Sequence, residues 1–125
     1  MTNPKIIIVI ASFLLAIAVA AGAFGAHGLK NILTPERLET WETAVRYHAW
    51  HALGLILIGL ISAHFQIDLR WPAHLLFAGI LIFSGSLYVL CLSGIGWFGA
   101  ITPIGGVALI AGWILLGVQL LKLKP

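Results

Sequence analysis

The stretch IIIVIASFLLAIAVAAGAFGA, residues 6–26, decides the solvent of this chain. It carries no charge, and as a helix rising 1.5 Å per residue it would reach about 32 Å, the thickness of a bilayer's hydrocarbon core of about 30 Å. Three more apolar runs lie downstream, at residues 49–63, 73–93 and 104–121. Lipid offers no partner to a bare backbone, so a spanning segment must be a helix or belong to a closed barrel. A barrel needs strands of alternating polarity, and these runs are apolar throughout. The sequence therefore predicts an all-α bundle of four transmembrane helices, residues 1–125 forming one integral membrane domain.

Composition agrees. The chain has 125 residues, 61% hydrophobic and 9% charged, with a mean hydropathy of +1.07. A soluble domain carries roughly 25% charged residues. The formal net charge of +3 comes from basic residues scattered at the ends of the spans, where they anchor to headgroups. Membrane lipids are the expected partners, and no nucleic acid is. The single cysteine, Cys91, lies within the third run and has no second cysteine with which to form an internal disulfide. Residues 1–26 have some of the look of a secretory signal peptide. Their apolar run exceeds the usual core of about 7–15 residues, however, and is read as a genuine span.

The connections are short. Thr34-Pro35-Glu36 reads as a helix start: threonine caps, proline suits the first helical position and glutamate favours the positive end of the dipole. From Pro35 the pattern is amphipathic, with Leu38, Trp41, Val45, His48 and Ala52 on one face and Glu36, Arg37, Glu39, Thr40, Thr43 and Arg46 on the other. Residues 35–48 are thus expected as an interfacial amphipathic helix before the second span, as one bent helix or as two meeting near Tyr47–Trp50. Loop two holds Asp68, Arg70, Trp71 and Pro72, and loop three, Gly94–Thr102, is uncharged. Lys5, Arg70, Lys122 and Lys124 fall on the side of the termini, and Lys30, Arg37 and Arg46 on the other. Four against three is a small excess in favour of cytoplasmic termini. Ala18, Gly22 and Ala26, like Ala21 and Gly25, are spaced by four, which serves either tight packing inside the bundle or a homo-oligomer contact.

Polar side chains within the spans collect in one membrane half. Counting from span midpoints at 1.5 Å per residue puts His51 about 6 Å, Tyr88 about 7 Å and His48 about 10 Å from the bilayer centre. Antiparallel spans bring the end of the first (His27), the start of the second (Tyr47, His48, His51), the end of the third (Tyr88, Cys91) and the start of the fourth (Thr102) to one side. Intramembrane ionisable groups face the bundle interior or a wet cavity. His27, Tyr47, His51, Ser84, Tyr88 and Thr102 are therefore the candidates to line a ligand pocket. A plain interhelical hydrogen-bond network is the competing reading. The pair His48 and His51, with His27, suggests metal handling or small-solute transport, but two histidines fall short of a zinc site. No Asp or Glu lies in any span, which argues against ion-coupled efflux. No nucleophile–base arrangement is visible, so a non-enzymatic role is expected, a helical scaffold acting by oligomerising being the third alternative. No cofactor can be named.

The ordered motifs Gly22-Ala23-Phe24-Gly25-Ala26-His27-Gly28, Trp41 with Thr43-Ala44 and Tyr47-His48, His51-Ala52-Leu53, Phe83-Ser84-Gly85-Ser86-Leu87-Tyr88 and Thr102-Pro103-Ile104-Gly105-Gly106 with Gly112-Trp113 resemble the YgdD-like family of small bacterial inner-membrane proteins, a domain of unknown function. The resemblance covers nearly the whole chain. It implies a four-span protein of the bacterial inner (plasma) membrane and brings no activity, cofactor or catalytic residue.

Overall fold

A computed structural model describes residues 3–125. Among them four helical stretches are long and apolar enough to cross a membrane, and there is no strand. Helix α1 is Pro4–His27, opened by the Asn3 side chain accepting from the Lys5 amide at 2.8 Å. Helix α2 is Pro35–Phe65. The third span is assembled from α3 (Arg70–Gly79), a π-helical turn (Ile80–Ser84) and α4 (Gly85–Ser93). A short 3₁₀ turn, Gly96–Ala100, precedes α5, Thr102–Leu121.

The expected start at Thr34-Pro35 is present: Thr34 Oγ1 accepts from the Arg37 amide at 3.2 Å. From there α2 runs as a single helix of 31 residues. The amphipathic segment and the second span are continuous, with no break at Tyr47–Trp50. At 1.5 Å per residue α2 is about 46 Å long, well beyond a hydrocarbon core of about 30 Å. Its charged first turns, with Glu36, Arg37 and Glu39, therefore belong at the polar boundary. At its other end Gln66 adopts a left-handed conformation (φ 52°). The Ser62 hydroxyl donates to the Ile67 carbonyl at 2.6 Å and the Ile67 amide returns to the Ser62 carbonyl at 3.2 Å, closing the helix.

α1 runs antiparallel to α2 at close range. Gly25 lies under the Trp41 indole, whose Nε1 donates to the Ala21 carbonyl at 2.9 Å. Gly22 faces Val45, and Gly59 faces Ile8. The small residues of α1 at Ala18, Gly22 and Gly25 thus serve packing against α2. In these pairs the two residue numbers sum to about 67, so the middle of α1, between Leu15 and Ala16, stands level with His51 and Ala52. His51 is then nearer the bilayer centre than counting from an apolar run of residues 49–63 implies. The run underestimates the helix, since its first half is masked by polar residues on the outer face.

On the other side of α2 the third span packs against it and against α5. Gly105 lets α5 touch the Phe83 backbone, Gly112 admits Leu76 and Gly54 admits the tip of Trp113. α2 and the third span carry most of the core, including Ala52, Leu55, Ile58, Leu76 and Ile80, each no more than 3% exposed. α1 and α5 are the outer members, with Phe13, Ile17, Val107 and Ile110 turned to lipid. Arg37 ties the start of α2 to the end of the third span: its guanidinium donates to the Leu90 carbonyl at 2.7 Å, a cation at the negative end of a helix.

Candidate functional site

The π turn is where the third span departs from regularity. Such single-turn bulges widen a helix and often occur at functional sites. Here the bulge and the glycine after it leave room, and a Cβ added to Gly85 would meet nothing within 4 Å. Beside it lies a cavity of about 210 Å³ between α1, α2 and the third span, lined by Leu14, Ile17, His48, Leu81, Gly85 and Tyr88, with Ile80 and Ser84 from the bulge.

His48 is the polar centre of this cavity. It is 3% exposed, and its Nδ1 lies 2.9 Å from the Tyr88 hydroxyl. Nε2 has no hydrogen-bond partner. The Leu14 backbone carbonyl stands near the ring. Tyr88 is held in turn by the Trp41 ring at 4.7 Å. Ser84, 1% exposed, donates to the Ala44 carbonyl at 2.7 Å and pins the bulge to α2.

The six candidate residues fall into separate places. Ser84 and Tyr88 join His48 at the cavity. Tyr47 and His51 stack on one another at 5.9 Å, as their spacing of four predicts, but face Phe83 and Trp113 on the other side of α2. His51 Nδ1 is bound to the Tyr47 carbonyl at 2.7 Å. Thr102 pairs with Ser86 at 2.6 Å where α5 meets the third span. His27 is exposed at the end of α1. Among the described residues no three His, Cys, Asp or Glu side chains stand close enough to share a metal ion. His48 and His51 each have one ring nitrogen already engaged. Cys91 donates to the Arg37 carbonyl at 3.3 Å.

Sequence reasoning put His48 on the apolar face of its helix, in the polar membrane half and in the metal alternative, but not among the pocket candidates, and left Trp41 as a face residue. The signal for His48 was its place on the Leu38–Trp41–Val45–His48–Ala52 stripe. That stripe proves to be the one covered by α1, so a histidine on it is buried. The Phe83-Ser84-Gly85-Ser86 run was the visible trace of the irregular turn, since glycine and serine pairs accompany helix irregularity.

Fold and site together define a four-helix, multi-pass membrane protein with a buried histidine paired to a half-buried tyrosine beside a half-open cavity. Residues 21–106 match the family described as "Protein of unknown function (DUF423)". The chain is 48% identical over 119 residues to a UPF0382 membrane protein of Staphylococcus saprophyticus, covering 95% of this chain and 99% of the relative. It is 47% identical over 118 residues to a UPF0382 membrane protein of Staphylococcus haemolyticus, covering 94% and 97%. With the UPF0382 membrane protein YwdK of Bacillus subtilis it shares 42% identity over 120 residues, covering 94% and 98%. The chain belongs to the DUF423 family, and it is in those terms, a membrane family of unknown function, that the resemblance seen in its motifs is met. No solved structure matches it.

Proposed function

We propose that this protein is a non-catalytic binding protein of the bacterial cytoplasmic (inner) membrane that takes a small ligand from the lipid phase into the cavity beside His48. The observation that carries the reading is a half-open, almost wholly apolar cavity of about 210 Å³ at a π bulge, beside the buried His48 and its Tyr88 partner. The volume of 210 Å³ exceeds the roughly 150 Å³ that suffices to hold benzene in an apolar cavity. The cavity mouth lies between Ile17 and Leu81, 56% and 52% exposed, so entry is from lipid rather than water. Ser84, Tyr88 and His48 line the site. Tyr47, His51 and Thr102 support the helices around it.

The test is binding of decylbenzene to purified protein in phosphatidylcholine nanodiscs, measured as retention above empty nanodiscs. Saturation at one molecule per chain, abolished by Gly85→Leu, is expected. Retention that is not saturable, or is unchanged by Gly85→Leu, refutes the reading.

A further inference from the structure

We infer that the groove between α1 and α2 around Arg46, a site separate from the cavity beside His48, holds the headgroup of an aminophospholipid, with its phosphate on Arg46 and its primary ammonium on Glu42.

Depth comes first. The middle of α1 stands level with His51 and Ala52, so at 1.5 Å per residue Arg46 lies about 8 Å from the midplane and Glu42 about 14 Å. Measured from the third span, Arg46 is deeper still, because the Ser84–Ala44 and Cys91–Arg37 bonds bring the middle of that span level with Arg46 and Tyr47. The hydrocarbon core reaches about 15 Å from its centre. Arg46 is therefore rooted inside the core, where a charged side chain is costly and is kept for a partner.

The chain itself supplies no such partner. Among the described residues the only Lys or Arg paired with a carboxylate is Arg70, with Asp68 at 2.7 Å. Glu42 stands one turn from Arg46, at the spacing where helical side chains can pair. The Arg46 guanidinium donates instead to Thr43 Oγ1 at 3.4 Å. Thr43 is nearer the start of α2, so this bond lifts the guanidinium towards the polar boundary, the direction in which helical side chains slant. Both charged side chains are exposed. Both line a groove of about 250 Å³, together with Gly22, Ala26, Trp41 and Val45. Glycine and alanine on the α1 wall leave the groove its width.

The two charges define the head. A guanidinium matches phosphate geometry, and a carboxylate beside it repels a head of net negative charge. A head that carries both signs and no net charge complements both residues. The order along the membrane normal also fits. The phosphate of a phospholipid lies next to the glycerol and the amine further out, and Arg46 is the deeper of the two charges. Side chains four residues apart on a helix have Cβ atoms about 5–6 Å apart, which suits a phosphate and an ammonium joined by two carbons. A primary ammonium donates hydrogen bonds to the Glu42 carboxylate, whereas a trimethylammonium has no N–H to give. The fitting head is phosphoethanolamine rather than phosphocholine or phosphoglycerol.

The experiment titrates the purified full chain in dodecylmaltoside with phosphatidylethanolamine, phosphatidylcholine and phosphatidylglycerol of identical tails. The first lipid retained is read by native mass spectrometry. Phosphatidylethanolamine is expected to bind about tenfold tighter than either of the others, the contribution of one charge-assisted hydrogen bond. Glu42→Gln should remove the preference over phosphatidylcholine while leaving phosphatidylcholine bound as before. Arg46→Gln should weaken all three. Glu42→Lys should turn the preference to phosphatidylglycerol, a gain that misfolding cannot imitate. Excess water-soluble phosphoethanolamine should not displace the lipid; displacement would make this a site for a free phosphate ester and overturn the lipid assignment. Equal binding of the three lipids by the wild type, a preference that survives Glu42→Gln, or a dimer retained in place of lipid would overturn it as well. The cavity beside His48 is tested by decylbenzene and stands or falls separately.

Discussion

The contact between α5 and the π turn gives the sharpest test of the packing. A Cβ at Gly105 would stand 2.8 Å from Phe83 Cα and 2.9 Å from its Cβ, and closer still to the Phe83 amide nitrogen. Ordinary van der Waals contact begins near 3.4 Å, so the two backbones must part by about 1 Å, the Phe83 amide nitrogen setting the limit. Backbone cannot rotate away as a side-chain tip can, and overpacking of this kind costs about 1–3 kcal/mol. The Ser86–Thr102 bond of 2.6 Å spans the same junction, and its loss adds about 0.6 kcal/mol on the scale of membrane hydrogen bonds. With alanine's better helix preference set against these, Gly105→Ala should be less stable by about 1–3 kcal/mol. Gly117 is the internal control, because a Cβ there meets nothing within 4 Å, and Gly117→Ala should be neutral or more stable by up to about 1 kcal/mol. The assay is unfolding in mixed micelles titrated with a denaturing detergent, followed by tryptophan fluorescence. Equal stability of the two variants would refute the close approach of α5 to Phe83.

Three further outcomes are expected. Gln66→Gly should raise stability by about 0.5 kcal/mol in the same assay, because the left-handed conformation at φ 52° costs a non-glycine residue about 1–2 kcal/mol and glycine's chain entropy returns part of that; a loss of stability would show that the Gln66 side chain contributes more than its backbone strain. The Arg70 side chain and amide hold the Asp68 carboxyl below its usual pKa, so its contribution is complete above about pH 4 and fades as acid protonates it. The thermal midpoint of the wild type should exceed that of Asp68→Asn at pH 6 by a small margin that shrinks as the pH falls below about 4, and a margin that grows in acid contradicts the pairing. Cys91, 3% exposed, should react with a membrane-permeant maleimide far more slowly than a cysteine placed at Leu121, 84% exposed; similar rates would mean that the ends of α2 and the third span separate in the membrane.

Much of the fold was legible because lipid simplifies the code. Residues 6–26 can only be a helix, and Thr34-Pro35-Glu36 marks the start of α2 through local geometry that needs no partner. The rest of that second helix was harder. Its first half alternates Glu, Arg and Thr with Trp41, Val45 and His48, which describes an interfacial helix equally well. Only the approach of Gly22 and Gly25 of α1 shows that the apolar stripe is covered and that the helix runs on without a break. The site was legible in type and not in grouping. Periodicity identifies which residues share a face of one helix, and it rightly joined Tyr47 to His51. It carries no information on how one helix is rotated against another. His48 and Tyr88 are 40 residues apart, and the rotation of α2 that brings them together is the one that turns His51 towards Trp113. That rotation is set by Gly25 under Trp41 and by Ser84 on the Ala44 carbonyl, contacts that exist only once the helices have met. The histidine beside the cavity is thus the one on the apolar stripe, which was expected to face the membrane interface and is instead covered by α1. The widened backbone at Ile80–Ser84 and the cavity beside it are the features on which the proposed binding role rests.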